Sequence, residues 1–335
     1  MAEDYTWELV SNAVEDLYNE WRVKGLSDDE IIRRITDTKL EKALEKLTDR
    51  MSEDSIDWLE HNTHEQVIDE RARATEFMAR NEQLWNKGFI VSEALYLIVL
   101  ESARAYSDII SEMPEEKLAG RKYIYSILRQ IHGRACQQFL EILHLLKGGF
   151  ADGAYARWRS LYELSVISEF IRKNNEEVAK AYYGASFTDD GRYGWAGSAP
   201  CFSGRRRPEK ITFEEIKNQC SMSTDAWNNQ YRLANKVVHA TPQGTFDRLG
   251  VPSVPLAFTP VGRSDYGLAP PAINAAISLS MISADFFISA PSGDGIVYIK
   301  TIAKWSEIVR ECYSEIEEKC FNMENDNAET STDIK

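Results

Sequence analysis

Apolar residues recur along most of the chain at the three-to-four-residue spacing of an amphipathic helix. Pro114 ends the first strong run, and the pair Gly148-Gly149 ends the second. The connections between several runs are short, so neighbouring helices should pack antiparallel. We therefore predict an all-α fold, a multi-helix bundle. Its main helices are expected at residues 90–110, 121–146, 152–173, 225–239, 272–288 and 297–321.

The first part of the chain has a thinner apolar pattern and many charged residues. Ser27 is followed three residues later by Glu30, the spacing of a capping box at a helix start. We interpret residues 1–84 as an acidic helical accessory arm that could dock a protein partner, and 85–323 as the main helical domain. Residues 324–335 are polar and are expected to be a disordered tail.

Two segments fit no helical period. Residues 184–210 are rich in glycine, aromatic residues and arginine, and residues 241–271 are rich in proline. Thr212, just after the first segment, is the expected cap of a short helix. Loops of this length in a compact domain are uncommon and often functional. The sequence thus predicts two long irregular loops in the bundle.

The net charge of the chain limits the kinds of molecule that it is expected to bind. The 335-residue chain carries a net charge of −14. Residues 1–100 hold 23 acidic and 12 basic side chains, a net of −11, whereas 101–200 hold 13 of each. An acidic chain argues against a non-specific nucleic-acid binder, which needs a positive surface. A local RNA site in the near-neutral part stays open.

Other features of the sequence indicate the cellular location of the protein and the chemistry of its cysteines and histidines. No run of about 18 apolar residues is present, so we expect no membrane span, and the acidic N-terminus has no secretory pattern. We expect a cytoplasmic protein. The chain has five cysteines, an odd number, and none of them form a C-x-x-C pair. This favours reduced thiols over zinc ligation. His132, Cys136 and Phe139 share one helix face and are interpreted as core filling. We expect no metal and no cofactor.

Two polar residues lie on the apolar side of the helix predicted at 152–173. At 100° per residue, Arg159 and Glu163 fall inside the arc that also holds Val166 and Phe170. Residues four apart on a helix can touch. The pair is either an ion pair that ties its helix to a neighbour or part of a buried functional cluster.

A second polar group lies on the helix predicted at 225–239. Arg232, Asn235 and His239 fall within about 60° of one another and border the core stripe that includes Tyr231. An arginine, an amide and a titratable imidazole can together bind a phosphate and transfer a proton. The alternative is a histidine that caps its own helix, with Asn235 bonded to a loop. Both interpretations remain open.

A short basic cluster lies in the first irregular loop. Arg205, Arg206 and Arg207 are consecutive, and they could contact RNA phosphates or an acidic partner. The alternative is an exposed loop with no ligand.

Two motifs together resemble a known family. One is Arg159-Ser-Leu-Tyr-Glu163, and the other is Tyr231-x3-Asn235-x3-His239. The pair resembles a prokaryotic helical family of unknown function that occurs among uncharacterised and defence-associated proteins. The resemblance covers about residues 85–320, and it implies a helical fold more than an activity.

The stretch from Arg232 to His239 is also similar to the motif of HEPN ribonucleases, an arginine and a histidine separated by four to six residues. Here six residues lie between them, and Leu233 stands where that motif usually has a polar residue. The resemblance implies RNA as substrate, cleavage without metal by the arginine and histidine, and a site at the interface of a homodimer.

The resulting hypothesis is a HEPN-like metal-independent ribonuclease, of the kind found in phage-defence or toxin effectors. Arg232, Asn235 and His239 would be catalytic, and Arg159, Glu163 and Tyr231 would support them. Two rival interpretations are a non-enzymatic helical interaction protein and a sensor that binds a small anion at the same polar row.

Overall fold

A computed structural model describes residues 5–35, 38–188, 191–239, 241–251 and 261–322. These residues form α-helices joined by turns and short 3-10 segments, and they contain no β-strand. The predicted all-α, multi-helix fold is confirmed. The α-helices in chain order are α1 (Tyr5–Val23), α2 (Asp28–Ile35), α3 (Thr38–Ser111), α4 (Lys122–Lys147), α5 (Ala151–Lys173), α6 (Glu176–Gly184), α7 (Phe213–Lys217), α8 (Asp225–Val238), α9 (Pro242–Phe246), α10 (Ala269–Phe287) and α11 (Gly293–Glu317).

The chain divides into two compact units, Met1–Arg73 and Ala74–Lys335. In the first unit, the backbone N–H of Ser27 donates to Glu30 Oε2 at 3.0 Å, so this half of the expected capping interaction is present at the start of α2. The acidic arm at 1–84 and the domain at 85–323 stay predictions, and the predicted tail at 324–335 lies outside the described residues.

Helix α3 is longer than the pattern indicated. The sequence predicted a separate helix at 90–110, but α3 is continuous from Thr38 to Ser111. Neither proline nor a glycine pair interrupts that stretch, and the single Gly88 has a packing role. A Cβ added to Gly88 would lie 2.9 Å from Tyr313 Cζ, so glycine allows the helix to approach this ring closely.

The core of the second unit is centred on α10, which lies against α4, α5 and α11. The side of α10 that faces these neighbours is rich in alanine and serine, and Ala275, Ser278 and Leu279 are fully buried. Small side chains let helices approach closely, and Trp158 of α5 donates from Nε1 to Ser278 Oγ at 3.0 Å. This bond satisfies the buried indole N–H of Trp158.

Helix α8 packs against α5. The ring of Tyr162 in α5 lies between aromatic rings of α8, 5.7 Å from Trp227 and 5.0 Å from Tyr231. Asn274 Nδ2 of α10 donates to Gln230 Oε1 of α8 at 3.0 Å. These contacts fix which side of α8 faces the core and which side carries the predicted polar row.

The two predicted irregular loops contain short helical turns. The described residues of 184–210 form four 3-10 segments, at Ala185–Phe187, Gly194–Ser198, Pro200–Phe202 and Pro208–Lys210. In the second loop, α9 follows α8 directly, and 252–260 lie outside the described residues. Helical segments of three to five residues are too short to leave a hydrophobic period in the sequence, so the spacing of apolar residues does not predict them.

Candidate functional site

Side-chain caps define both the start of α8 and the helix that follows it. Thr224 Oγ1 accepts from the backbone N–H of Trp227 at 3.4 Å, and the last helical residue is Val238. His239 follows as the C-cap, with an extended backbone and its N–H bonded to Asn235 O at 3.0 Å. Thr241 Oγ1 then caps α9 by accepting from Gly244 N at 3.1 Å. His239 therefore lies at a sharp turn between two capped helices.

The predicted row lies along one side of α8. Arg232 and His239 are exposed, and Asn235 between them is partly buried. The guanidinium of Arg232 donates to Asn229 Oδ1, one turn toward the N-terminus of the helix. Asn228 extends the same side, because it precedes Arg232 by four residues. The row is thus a polar strip with an exposed arginine and an exposed histidine about two turns apart.

One atom of this row is unsatisfied. The Oδ1 of Asn235 is buried and has no hydrogen-bond partner among the described residues. A buried acceptor without a donor costs free energy, so such an atom usually bonds to a water or a ligand. The predicted bond from Asn235 to a loop is not seen in the described part of the chain.

Arg159, Glu163 and Tyr231 form one hydrogen-bonded cluster between α5 and α8. Arg159 Nη2 lies 3.0 Å from Glu163 Oε1, and the Tyr231 hydroxyl donates to the same oxygen at 2.8 Å. The Arg159 guanidinium also lies over the Tyr231 ring, 5.4 Å from its centroid. Side-chain exposure is 23% for Arg159 and 13% for Glu163, so the pair is largely shielded from water. Burial and the bond to Glu163 raise the pKa of Tyr231.

Sequence reasoning missed Lys217, which completes this cluster from α7. Its side chain is only 4% exposed, and its ammonium contacts Glu214 Oε2 at 2.6 Å and Asn228 Oδ1 at 2.8 Å. It also lies 5.7 Å from the centroid of the Tyr231 ring. A buried lysine needs partners of this kind, and none of them is close to it in sequence apart from Glu214. No short motif in the sequence around Lys217 indicates that this lysine is buried.

The three consecutive arginines have different environments. Arg205 Nη2 lies 3.3 Å from Glu215 Oε2, and Glu215 also completes the capping box with Thr212 at the start of α7. The expected Thr212 cap is therefore confirmed. Arg206 and Arg207 are exposed. Arg205 has a structural contact, and the other two are open to solvent.

His132 and Cys136 lie in the core, as expected. His132 Nε2 is 3.1 Å from Ser283 Oγ, and its ring stacks on Phe286 with centroids 4.9 Å apart. Burial lowers the pKa of His132 to about 4 and raises the pKa of Cys136 to about 12. Within the part of the chain that is described, no group of three or more His, Cys, Asp or Glu side chains could hold a metal ion. Every helix there is too short or too polar to cross a bilayer.

The geometry brings together two adjacent groups of polar residues. The cluster of Arg159, Glu163 and Tyr231 lies between α5 and α8. Beside it along α8 runs the polar row, in which Arg232 and His239 are exposed and Asn228 and Asn235 are partly buried. The structure does not join Arg205, Arg206 and Arg207 to either group through any described hydrogen bond.

Comparison with known protein families gives a match over part of the chain. No curated protein and no solved structure matches the chain. Residues 125–192, from α4 to the start of the first irregular loop, match the model of a family of unknown function (DUF5677). The match includes Arg159 and Glu163 but ends before α8, so it is narrower than the span of 85–320 expected from the motifs. It supports similarity to an uncharacterised family over those residues.

Proposed function

We propose that this protein is an endoribonuclease that needs no metal, with its site on the outward side of α8. The observation that supports it best is the exposure of Arg232 and His239 on the same side of this helix. A site that acts on RNA must be open to a large substrate, whereas a purely structural row would be expected to face the core. The motif resemblance points to the same two residues.

In the proposed reaction, His239 acts as the base. Its neutral imidazole takes the proton of a ribose 2′-hydroxyl, whose oxygen attacks the adjacent phosphorus. The bond from phosphorus to the 5′ oxygen breaks, and that oxygen takes a proton from an acid. The products are a 2′,3′-cyclic phosphate and a 5′-hydroxyl. Arg232 stabilises the negative charge that builds on the phosphate oxygens.

Helix geometry argues for two copies of the chain at such a site. A rise of 1.5 Å per residue separates the Cα atoms of Arg232 and His239 by about 10 Å along the axis. The Arg232 guanidinium bonds toward Asn229, away from His239. One copy also presents a single histidine in this row, whereas the reaction uses a base and an acid. A homodimer would supply the second imidazole and an arginine from the opposite direction.

Asn235 and the cluster behind α8 would have supporting roles. The unpaired Oδ1 of Asn235 can accept a hydrogen bond from a substrate hydroxyl or an ordered water. The Tyr231–Glu163 bond holds α8 at one rotation against α5, and that rotation determines where the row points.

The product ends test this proposal. Purified protein is incubated with single-stranded RNA in excess chelator, and the fragments are identified by mass spectrometry. The proposal expects 2′,3′-cyclic or 3′-phosphate ends paired with 5′-hydroxyl ends. Replacing the riboses of the substrate by 2′-deoxyriboses should abolish cleavage, because no 2′-hydroxyl remains. Ends with a 3′-hydroxyl and 5′-phosphate, or undiminished cleavage of the deoxy substrate, would contradict this chemistry.

A further inference from the structure

The part of helix α3 that belongs to the first compact unit exposes large apolar side chains. Every side chain from Ser52 to His61 is exposed. Ile56 is 54% exposed, Leu59 42% and Val67 41%. Single exposed apolar residues are common on protein surfaces, but several close together on one helix are typical of a surface that contacts a partner.

These three apolar residues lie on one face of the helix. At 100° per residue, Ile56 lies about 60° and Val67 about 80° from Leu59. Between residues 51 and 69, an arc of about 120° that contains all three holds no charged residue. The other members of this arc are Ser52, Ser55, Thr63 and Gln66. The positions i, i+3, i+7 and i+11, counted from Ile56, have the spacing of a face that packs along another helix.

The hydroxyl groups on this face already have partners within α3. The Ser55 hydroxyl donates to Met51 O at 2.6 Å, and the Thr63 hydroxyl donates to Leu59 O. Covering a hydroxyl is costly when its donor is left unpaired. Because these two hydroxyls donate to the backbone of their own helix, a partner that covers the face leaves neither donor unpaired. The face therefore loses little free energy when water is removed from it.

Negative charge flanks the face on both sides. Residues 51–70 hold seven acidic side chains and no lysine or arginine. Glu53 and Glu60 lie on one side of the uncharged arc, and Glu65 and Asp69 lie on the other. A second copy of this segment would place acids against acids in either direction of packing, because the segment has no basic residue. A cationic partner would instead be attracted by the same charges.

We propose that this face, called here the 56–67 face after Ile56, Leu59, Thr63 and Val67, docks a basic amphipathic helix of a partner protein. The apolar side of the partner helix would cover the three apolar residues. Its lysines or arginines would lie beside Glu53, Glu60 and Glu65. The surface contains no residue of the α8 row, so the proposal does not rest on the proposed ribonuclease activity.

A designed peptide serves as the probe of this surface. It is a labelled helix of three heptads, with leucine at the a and d positions and lysine at the e and g positions. Fluorescence anisotropy measures its binding to the whole chain, beside a peptide of the same composition whose leucines follow no heptad. The heptad peptide should bind about tenfold more tightly or better, the effect of a few buried contact residues. No binding of the heptad peptide, or equal binding of both peptides, would overturn the proposal, because charge alone would then explain any attraction.

Matched substitutions on the same helix test the location. Ile56→Gln with Leu59→Gln should weaken binding of the heptad peptide about tenfold or more. Ile90→Gln with Leu97→Gln is the control, because Ile90 and Leu97 are exposed to a similar degree, 53% and 56%, and it should leave binding unchanged. Glutamine is a good helix former, so the circular dichroism of both double variants should match wild type. Equal peptide affinity of the two double variants would overturn the assignment of this face.

A charge variant and the molecular mass in solution complete the test. Glu53→Gln with Glu60→Gln should reduce the salt dependence of peptide binding, because fewer charges are then paired across the contact. An unchanged salt dependence would contradict the role given to the acidic flanks. Sedimentation velocity should give the same mass for wild type and for Ile56→Gln with Leu59→Gln. A wild-type dimer that this variant loses would show that a second copy occupies the face, and it would overturn the proposal.

Discussion

At the residue scale, Glu163 connects three other side chains. It accepts from Tyr231 at 2.8 Å, pairs with Arg159 at 3.0 Å, and lies 3.3 Å from Arg192 Nη2. The helical phase of the sequence indicated that Arg159 and Glu163 would meet on the inner side of their helix, and they do. Tyr231 as the third member was expected only as a supporting residue. Its bond joins residues 68 positions apart, which no local pattern can reveal.

Glu163→Ala should lower the free energy of unfolding by about 2 kcal/mol, because it leaves Arg159 shielded without its counter-charge and Tyr231 without an acceptor. Glu177→Ala is the matched control, since its pair with Lys180 is exposed. That control should not change the urea midpoint. If the two variants had the same midpoint as wild type, the inner cluster would contribute no stability.

His132 should give the protein a pH-dependent stability. Its folded pKa of about 4 lies below the usual value near 6.5, so the unfolded chain takes up the proton first as pH falls. Stability is fully present above about pH 6.5 and is lost between that value and pH 4. Asp285, whose pKa burial raises to about 6, acts in the opposite sense.

Comparison with His132→Gln isolates this effect, because Asp285 is present in both proteins. Wild type should lose about 2 kcal/mol more than the variant between pH 7 and pH 5 in urea unfolding. Parallel curves for the two proteins would mean that His132 is not buried in a neutral form.

At the element scale, the turn from α8 into α9 fixes the position of His239. A Cβ on Gly244 would lie 2.1 Å from the backbone oxygen of Lys236 and 3.1 Å from that of His239. Helix α9 can therefore pack against the end of α8 only with glycine at this position. The sequence predicted the end of α8 at His239, one residue beyond its last helical residue, but it gave no indication of this close approach.

Gly244→Ala should force α9 away from α8. The expected cost is about 1–3 kcal/mol of unfolding free energy, the range for overpacking. It should also reduce any activity that depends on His239. Gln243→Ala, at an exposed neighbouring position, is the control for thermal melting. A Gly244→Ala variant as stable as that control would show that the two helices separate at no cost.

At the scale of the whole molecule, hydrophobic spacing was enough to predict the helical class and the bounds of five of the six main helices to within a few residues. For the helix predicted at 90–110 it gave only the end. The predicted start of the main domain at residue 85 stays a prediction, because α3 is continuous there and no helix breaker marks a boundary. The first compact unit of the structure ends at Arg73, whereas the sequence predicted a domain boundary between residues 84 and 85. Residues 74–84, which lie between these two boundaries, contribute to the second unit. Asn81 is fully buried, and its Nδ2 donates to Leu146 O at 3.0 Å and to Lys147 O at 2.9 Å.

A truncated chain that begins at Ala74 should therefore fold, and its melting should be cooperative. A chain that begins at Trp85 should be less stable, since the last carbonyls of α4 lose the Asn81 amide. Phe77, whose ring packs against Gly149, would be lost as well. Circular dichroism melts of the two chains compare them directly. Equal melting temperatures would mean that residues 74–84 are dispensable, and loss of helicity in both would mean that the first unit is needed for folding.

The central claim concerns His239, and the ratio of single-turnover cleavage rates between two histidine variants tests it most directly. His239→Ala should cleave single-stranded RNA at least about 100-fold more slowly than wild type in excess chelator, the lower range for a general acid or base. His144→Ala, at an exposed histidine on α4, should cleave at the wild-type rate. Both variants should melt like wild type. Equal rates for wild type and His239→Ala, or no cleavage by wild type, would contradict the claim and favour an interaction protein.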